Sequence, residues 1–152
     1  MRPRVSDFDG LEQVIFRIIA VSLGVAMLCL YIYETVQFGL VIFLGFASAP
    51  WTILYNTAEA LLLFDKSRRM GRPPPWLYAC LELTSMFLTA TSGVWTLFVG
   101  FMEGTTYSHA RMATAGAMNF GLAAMHLVFF FWVGECFGCI PDPEANDTLL
   151  KR

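Results

Sequence analysis

The chain has 152 residues, of which 57% are hydrophobic and 14% charged, with a formal net charge of −2. Soluble domains usually carry about 45–50% apolar and about 25% charged residues, so this composition is unusually oily. A domain this short leaves too much of its surface in water to hide that excess, which argues against an ordinary soluble protein. With no basic face outside one central loop and the two tails, the charge argues against a nucleic-acid partner.

Residues 1–10 form a polar lead, expected to be loosely ordered, and Asp9 or Ser6 can cap a helix beginning near Leu11. A first apolar span is expected at Val14–Tyr33, about the 20 residues needed to cross about 30 Å of hydrocarbon. No small-residue cleavage site follows it, so it reads as a signal anchor rather than a signal peptide. The stretch Glu34–Gln37 is expected to turn the chain into a second, antiparallel span at Phe38–Phe64, kinked at Pro50.

Asp65 to Pro75 is the only strongly polar run in the interior of the sequence. Its three prolines end one helix and suit the start of the next. Its cations, Lys66, Arg68, Arg69 and Arg72, suit contact with anionic lipid headgroups, each worth roughly 1 kcal/mol at the surface. Span three is expected at Trp76–Met102 and span four at Ala113–Phe137, joined by a short turn at 103–109. Residues 138–152 read as a disordered tail.

The sequence therefore predicts an all-α integral membrane protein, an antiparallel four-helix transmembrane bundle over residues 11–137. Arginines and lysines cluster at both tails and in the central loop, whereas Arg111 alone falls on the other side. The positive-inside rule then places both termini in the cytosol, in a plasma-membrane or secretory-pathway protein. Asn146-Asp147-Thr148 is a glycosylation sequon that should stay bare in that orientation. Small residues four apart mark expected helix contacts: Ala20 and Gly24, Gly45 and Ala49, Thr89 and Gly93, and the run Ala113, Ala117, Gly121.

The intramembrane polar set is Arg17, Asn56, Glu59, Glu82, Asn119 and His126. A charge at mid-bilayer costs about 2.5–3.5 kcal/mol on insertion scales, so each needs a partner. Arg17 is expected to pair with Glu82 or Glu59, as a structural ion pair or as part of a proton- or cation-coupled site. His126 has no second ligand at metal spacing, so no metal is expected, and no cofactor. The four cysteines suggest no disulfide framework and read as buried. Cys136 and Cys139, at the cytosolic membrane edge, suit S-acylation or are inert thiols. Arg72, Tyr78 and Leu81 match a weak sterol-contact pattern.

The segments Glu12-Gln13-Val14-Ile15-Phe16-Arg17-Ile18-Ile19-Ala20 and Leu81-Glu82-Leu83-Thr84-Ser85-Met86-Phe87-Leu88-Thr89-Ala90, with a span four that is Ala-rich first and aromatic last, resemble MARVEL-type tetraspans, especially small fungal ones. That resemblance implies a role in membrane organisation: vesicle trafficking, membrane apposition or sterol-rich domains. The expected function is thus a non-enzymatic organiser acting through helix packing and lipid contacts, with membrane lipids and homo- or hetero-oligomers as partners. The alternative is a small proton- or cation-coupled transporter or channel subunit using Glu59, Glu82 and His126. No nucleophile–base pair or complete metal set points to an enzyme.

Overall fold

A computed structural model describes the backbone of residues 7–64, 74–103 and 106–138, and the side chains of 11–64, 74, 76–102 and 109–132. The described residues fold as four helices: α1 (Asp7–Phe38), α2 (Phe43–Phe64), α3 (Pro75–Glu103) and α4 (Thr106–Gly138). The loop cations Lys66, Arg68, Arg69 and Arg72, Cys139 and the tail lie outside the described residues.

Four helix boundaries differ from those expected, one of them the start of α2, which falls at Phe43 rather than Phe38. The first helix begins at Asp7, so Asp9 lies inside it and residues 7–10 are helical. It also runs through Glu34–Gln37, which holds no glycine or proline to stop it, and Glu34 finds a partner on α4. The break comes at Gly39, whose φ of 68° is the left-handed conformation that glycine adopts without a steric penalty. Its N–H donates to the Thr35 carbonyl at 3.0 Å, closing the helix end. The Thr35 hydroxyl lies 2.8 Å from the Tyr31 carbonyl and 2.9 Å from that of Leu40, tying the turn to the last helical turn. Leu40 and Ile42 then point into the core before α2 starts. The fourth helix starts at Thr106 rather than Ala113.

The helices form a ring in which α1 packs on α2, α2 on α3, α3 on α4 and α4 on α1, the last pair the most loosely joined. Neighbours run antiparallel. Gly24 faces Thr52 while Gly45 faces Tyr31 on the α1–α2 side, and Gly93 faces Asn119 while Gly100 faces Met112 on the α3–α4 side. Close packing inside each hairpin relies on these glycines. A Cβ at Gly45 would sit 2.6 Å from the Tyr31 ring, one at Gly100 2.5 Å from Met112 Cβ, and one at Gly116 2.8 Å from Leu97. The run Ala113, Ala117, Gly121 was expected at a helix contact, but all three are exposed, and nothing lies within 4 Å of a Cβ built at Gly121. The buried face of α4 is instead Met112, Ala115, Asn119, Leu122, His126 and Phe129. The inward positions of α3 carry the glycines Gly93 and Gly100, so α4 turns its larger residues toward them.

Three helices are long and apolar enough to cross a membrane: Leu11–Phe38, Trp76–Met102 and His109–Trp132, among the described residues. The second helix has the length, 22 residues or about 33 Å. Its average hydropathy falls short because its buried face is polar: Ser48, Thr52, Tyr55, Asn56 and Glu59.

Candidate functional site: a buried polar axis

The centre of the bundle is polar. On α3, Glu82, Ser85, Thr89, Ser92 and Thr96 are all buried, spaced three, four, three and four residues apart, which keeps them on one helix face. Leu83, Phe87, Val94 and Phe98 take other faces of the same helix, so hydroxyls and one carboxylate line its inner stripe.

At the end of the axis nearest the central loop, Glu82 joins all four helices. One of its oxygens (Oε1) accepts from Arg17 Nη2 on α1 and, at 2.8 Å, from the Tyr55 hydroxyl on α2. The other (Oε2) lies 2.7 Å from His126 Nδ1 on α4. A proton on Nδ1 suits that carboxylate. Arg17 is only 1% exposed. It donates through Nη1 to Asn56 Oδ1 and through Nη2 to the Tyr78 hydroxyl, both at 2.8 Å, and its guanidinium carbon lies 3.8 Å from the centre of the Phe129 ring. Glu59 is buried in the same layer, close enough to Tyr78 to act on its hydroxyl. Of the two acids considered for Arg17, the ion pair goes to Glu82. Arg17, Asn56, Glu82 and His126 therefore make one network, with Glu59 beside it.

Further along, Trp51 Nε1 donates to Ser85 Oγ at 2.9 Å and Ser48 Oγ to Ser92 Oγ at 2.9 Å. Asn119 Nδ2 donates to the Tyr31 hydroxyl at 2.6 Å, and that hydroxyl lies 3.2 Å from Thr96 Oγ1. At the far end Glu34 pairs with Arg111, whose guanidinium also lies 5.2 Å from the Tyr33 ring and 5.0 Å from that of Phe38. Arg17 and Glu34 are 17 residues apart on one helix, an axial separation of about 26 Å. The two ion pairs thus sit at opposite ends of a polar axis a little shorter than a bilayer's hydrocarbon core of about 30 Å.

Sequence reasoning missed the Glu34–Arg111 pair by placing Glu34 in a turn. The available signal was Tyr31, Glu34 and the absence of Gly or Pro before Gly39, which continue the inward face of α1 by one more turn. Arg111 keeps 30% of its side chain exposed and can turn toward solvent if its partner is lost. Glu34→Gln is therefore expected to lower bundle stability by about 1 kcal/mol or less, the range of exposed pairs; equilibrium unfolding in mixed micelles measures this.

The seam between the hairpins α1–α2 and α3–α4 carries these polar contacts: Arg17 and Tyr55 against Glu82, Arg17 against Tyr78, Trp51 and Ser48 against Ser85 and Ser92, Tyr31 against Thr96 and Asn119, and Glu34 against Arg111, beside an apolar cluster to which Ala20 and Met27 of one hairpin and Val99, Met112 and Leu122 of the other belong. The outside is the reverse. Among the described side chains, Arg17, Glu34, Glu59 and Glu82 are buried and Arg111 partly so, leaving Glu12 as the exposed charge. Leu54, Phe87, Phe101 and Phe131 are exposed by 60% or more. The outward hydroxyls of Ser22, Thr84, Thr91 and Thr114 donate to carbonyls four residues back on their own helix, at 2.7–3.0 Å. Cys29 and Cys80, expected to be buried, are on the exposed face. Their helix positions fall opposite the polar axis, and a thiol is apolar enough for an oily exterior.

No protein-family model, no curated protein and no solved structure matches this chain.

Proposed function

We propose that the chain is a four-span membrane protein, with termini in the cytosol of a plasma-membrane or secretory-pathway bilayer, that works as a non-enzymatic organiser of its surrounding membrane. The observation that carries this reading is the inverted distribution of polarity: charges and hydroxyls inside, large apolar side chains outside. Water selects the opposite arrangement, whereas lipid tolerates exposed Leu and Phe and penalises an unpaired polar group. The outward hydroxyls bonded back to their own helices fit the same solvent. Under this reading α2 is a span as well. Its outward residues Phe43, Leu54, Leu61 and Phe64 meet lipid, while its low average hydropathy comes from the face turned inward. The MARVEL-type resemblance is a narrower form of the same proposal.

The network at Glu82 favours a fixed structural role over a carrier site. Both carboxylate oxygens are already engaged by protein groups from three other helices, so releasing a proton or cation there would unfasten the bundle. Vesicles reconstituted with the purified protein and loaded with a pH-sensitive dye test this. The organiser reading expects proton flux no greater than in empty vesicles, and polymer-extracted native discs that hold several copies with a lipid content distinct from the bulk membrane. Flux that vanishes in Glu82→Gln would instead make the protein a transporter. Glycan on Asn146 of the native protein would reverse the orientation.

A further inference from the structure

Three buried polar atoms near the Glu82 layer have no hydrogen-bond partner among the described residues: Arg17 Nε, Thr52 Oγ1 and His126 Nε2. Their residues are exposed by 1% or less. Buried polar groups in folded proteins are nearly always paired, with protein or with ordered water. Thr52 also departs from a local pattern. The other fully buried threonines, Thr89 and Thr96, donate to carbonyls four residues back, those of Ser85 and Ser92, at 2.8 and 2.7 Å. Thr52 is helical too, yet its hydroxyl leaves that bond unmade.

The fold brings these atoms toward one level of the ring. Gly24 packs on Thr52, and Trp51, next to Thr52 in the chain, bonds Ser85. Seven residues from the Gly93–Asn119 contact, the antiparallel α3 and α4 bring Met86 opposite His126. Gly24, Thr52, Met86 and His126 thus share a level, one on each helix. Arg17 reaches toward it, since its Nη1 bonds Asn56, one turn from Thr52. The inward residues around that level are small: Ala20, Gly24, Ser85, Thr89 and Ala123.

We propose that this level is a binding site for ordered water, held by Thr52 Oγ1 and His126 Nε2 and bordered by Arg17 Nε. The chemistry of the three atoms selects that ligand. Arg17 Nε–H only donates, the threonine hydroxyl donates or accepts, and His126 Nε2 takes whichever role its proton leaves it. Water supplies both roles without charge, and a buried water typically makes about three hydrogen bonds to groups of this kind. A cation would face the Arg17 guanidinium. An anion would lie beside Glu82, which already matches the charge of that guanidinium. Toward the far end of the axis the next contact is the direct Ser48–Ser92 bond, so the water is held in place rather than passed along. The site lies inside the bundle and does not depend on the solvent outside it.

Crystals of the full-length protein grown from a lipidic phase test the site. Solvent density is expected within hydrogen-bond distance of both Thr52 Oγ1 and His126 Nε2. Thr52→Val keeps the shape of the side chain and removes the hydroxyl, so stability separates a bound hydroxyl from an unpaired one. With water bound, valine deprives it of a partner, and the unfolding midpoint should fall below wild type while Thr52→Ser stays near it. With the hydroxyl unpaired, valine removes a buried penalty and the midpoint should rise; that rise overturns the proposal. A Thr52 hydroxyl bonded to the Ser48 carbonyl overturns it too, as does a site without density in a map that shows other buried waters. Crystals grown in bromide should give no anomalous peak at the site; a peak would make the occupant an anion and overturn water as the ligand.

Discussion

Glu82→Leu is expected to destabilise the bundle by about 3–5 kcal/mol, the cost of leaving a buried charge without its partner. The alternative source of the effect is the loss of interhelical hydrogen bonds, and these average only about 0.6 kcal/mol each inside membrane proteins. Three such bonds fall short of the ionic term, so the charge on Arg17 dominates. Two further variants separate the contributions. Glu82→Gln keeps an acceptor for Tyr55 and Arg17 but removes the negative charge, and it should be nearly as damaging as leucine. Arg17→Met with Glu82→Met removes both charges at similar volume and should recover most of the loss, because a buried ion pair replaced by apolar groups is often neutral. Equilibrium unfolding of each variant in bicelles provides the measurement. A Glu82→Gln protein within about 1 kcal/mol of wild type would mean that hydrogen bonding rather than charge fastens the four helices.

Helix number, order and the oily exterior were legible in the sequence because they depend on long-range averages: runs of apolar residues and the prolines and cations that interrupt them. Arg17, Glu82 and His126 stood out for the same reason, as expensive residues in apolar surroundings. What could not be read were the choices that turn on helix rotation. Ala113, Ala117 and Gly121 have the spacing of a contact face yet point outward, while Met112 and Asn119, one or two positions away, point inward. A rotation of about 100° per residue separates the two outcomes, and the small-residue pattern does not fix it. The choice between Glu59 and Glu82 as partner for Arg17 was equally hidden, since they lie at similar depth on two different helices, α2 and α3. The turn after α1 was misplaced because polar residues at Glu34–Gln37 looked like a loop; in the structure they are helical, with Glu34 buried and Val36 and Gln37 exposed.

Glycines at look-alike positions should therefore respond very differently to substitution. Gly45→Leu is expected to cost about 1–3 kcal/mol through overpacking, near the upper end of that range. The side chain would meet the Tyr31 ring at 2.6 and 2.7 Å from its Cβ alone. That ring is fully buried and pinned through its hydroxyl to Asn119 and Thr96, so it moves only by giving up the polar contacts that join α1 to α3 and α4. Gly121→Leu adds the same atoms where nothing lies within 4 Å, and its stability should stay at the wild-type level. Tyr31→Leu in the Gly45→Ala background tests the cause: if the clash with the ring is responsible, removing the ring should return part of the stability lost to Gly45→Ala, even though Tyr31→Leu alone is destabilising. Thermal and denaturant unfolding in the same detergent would show the contrast. Equal losses at Gly45 and Gly121 would mean that the α1–α2 contact and the outward face of α4 are not arranged as described.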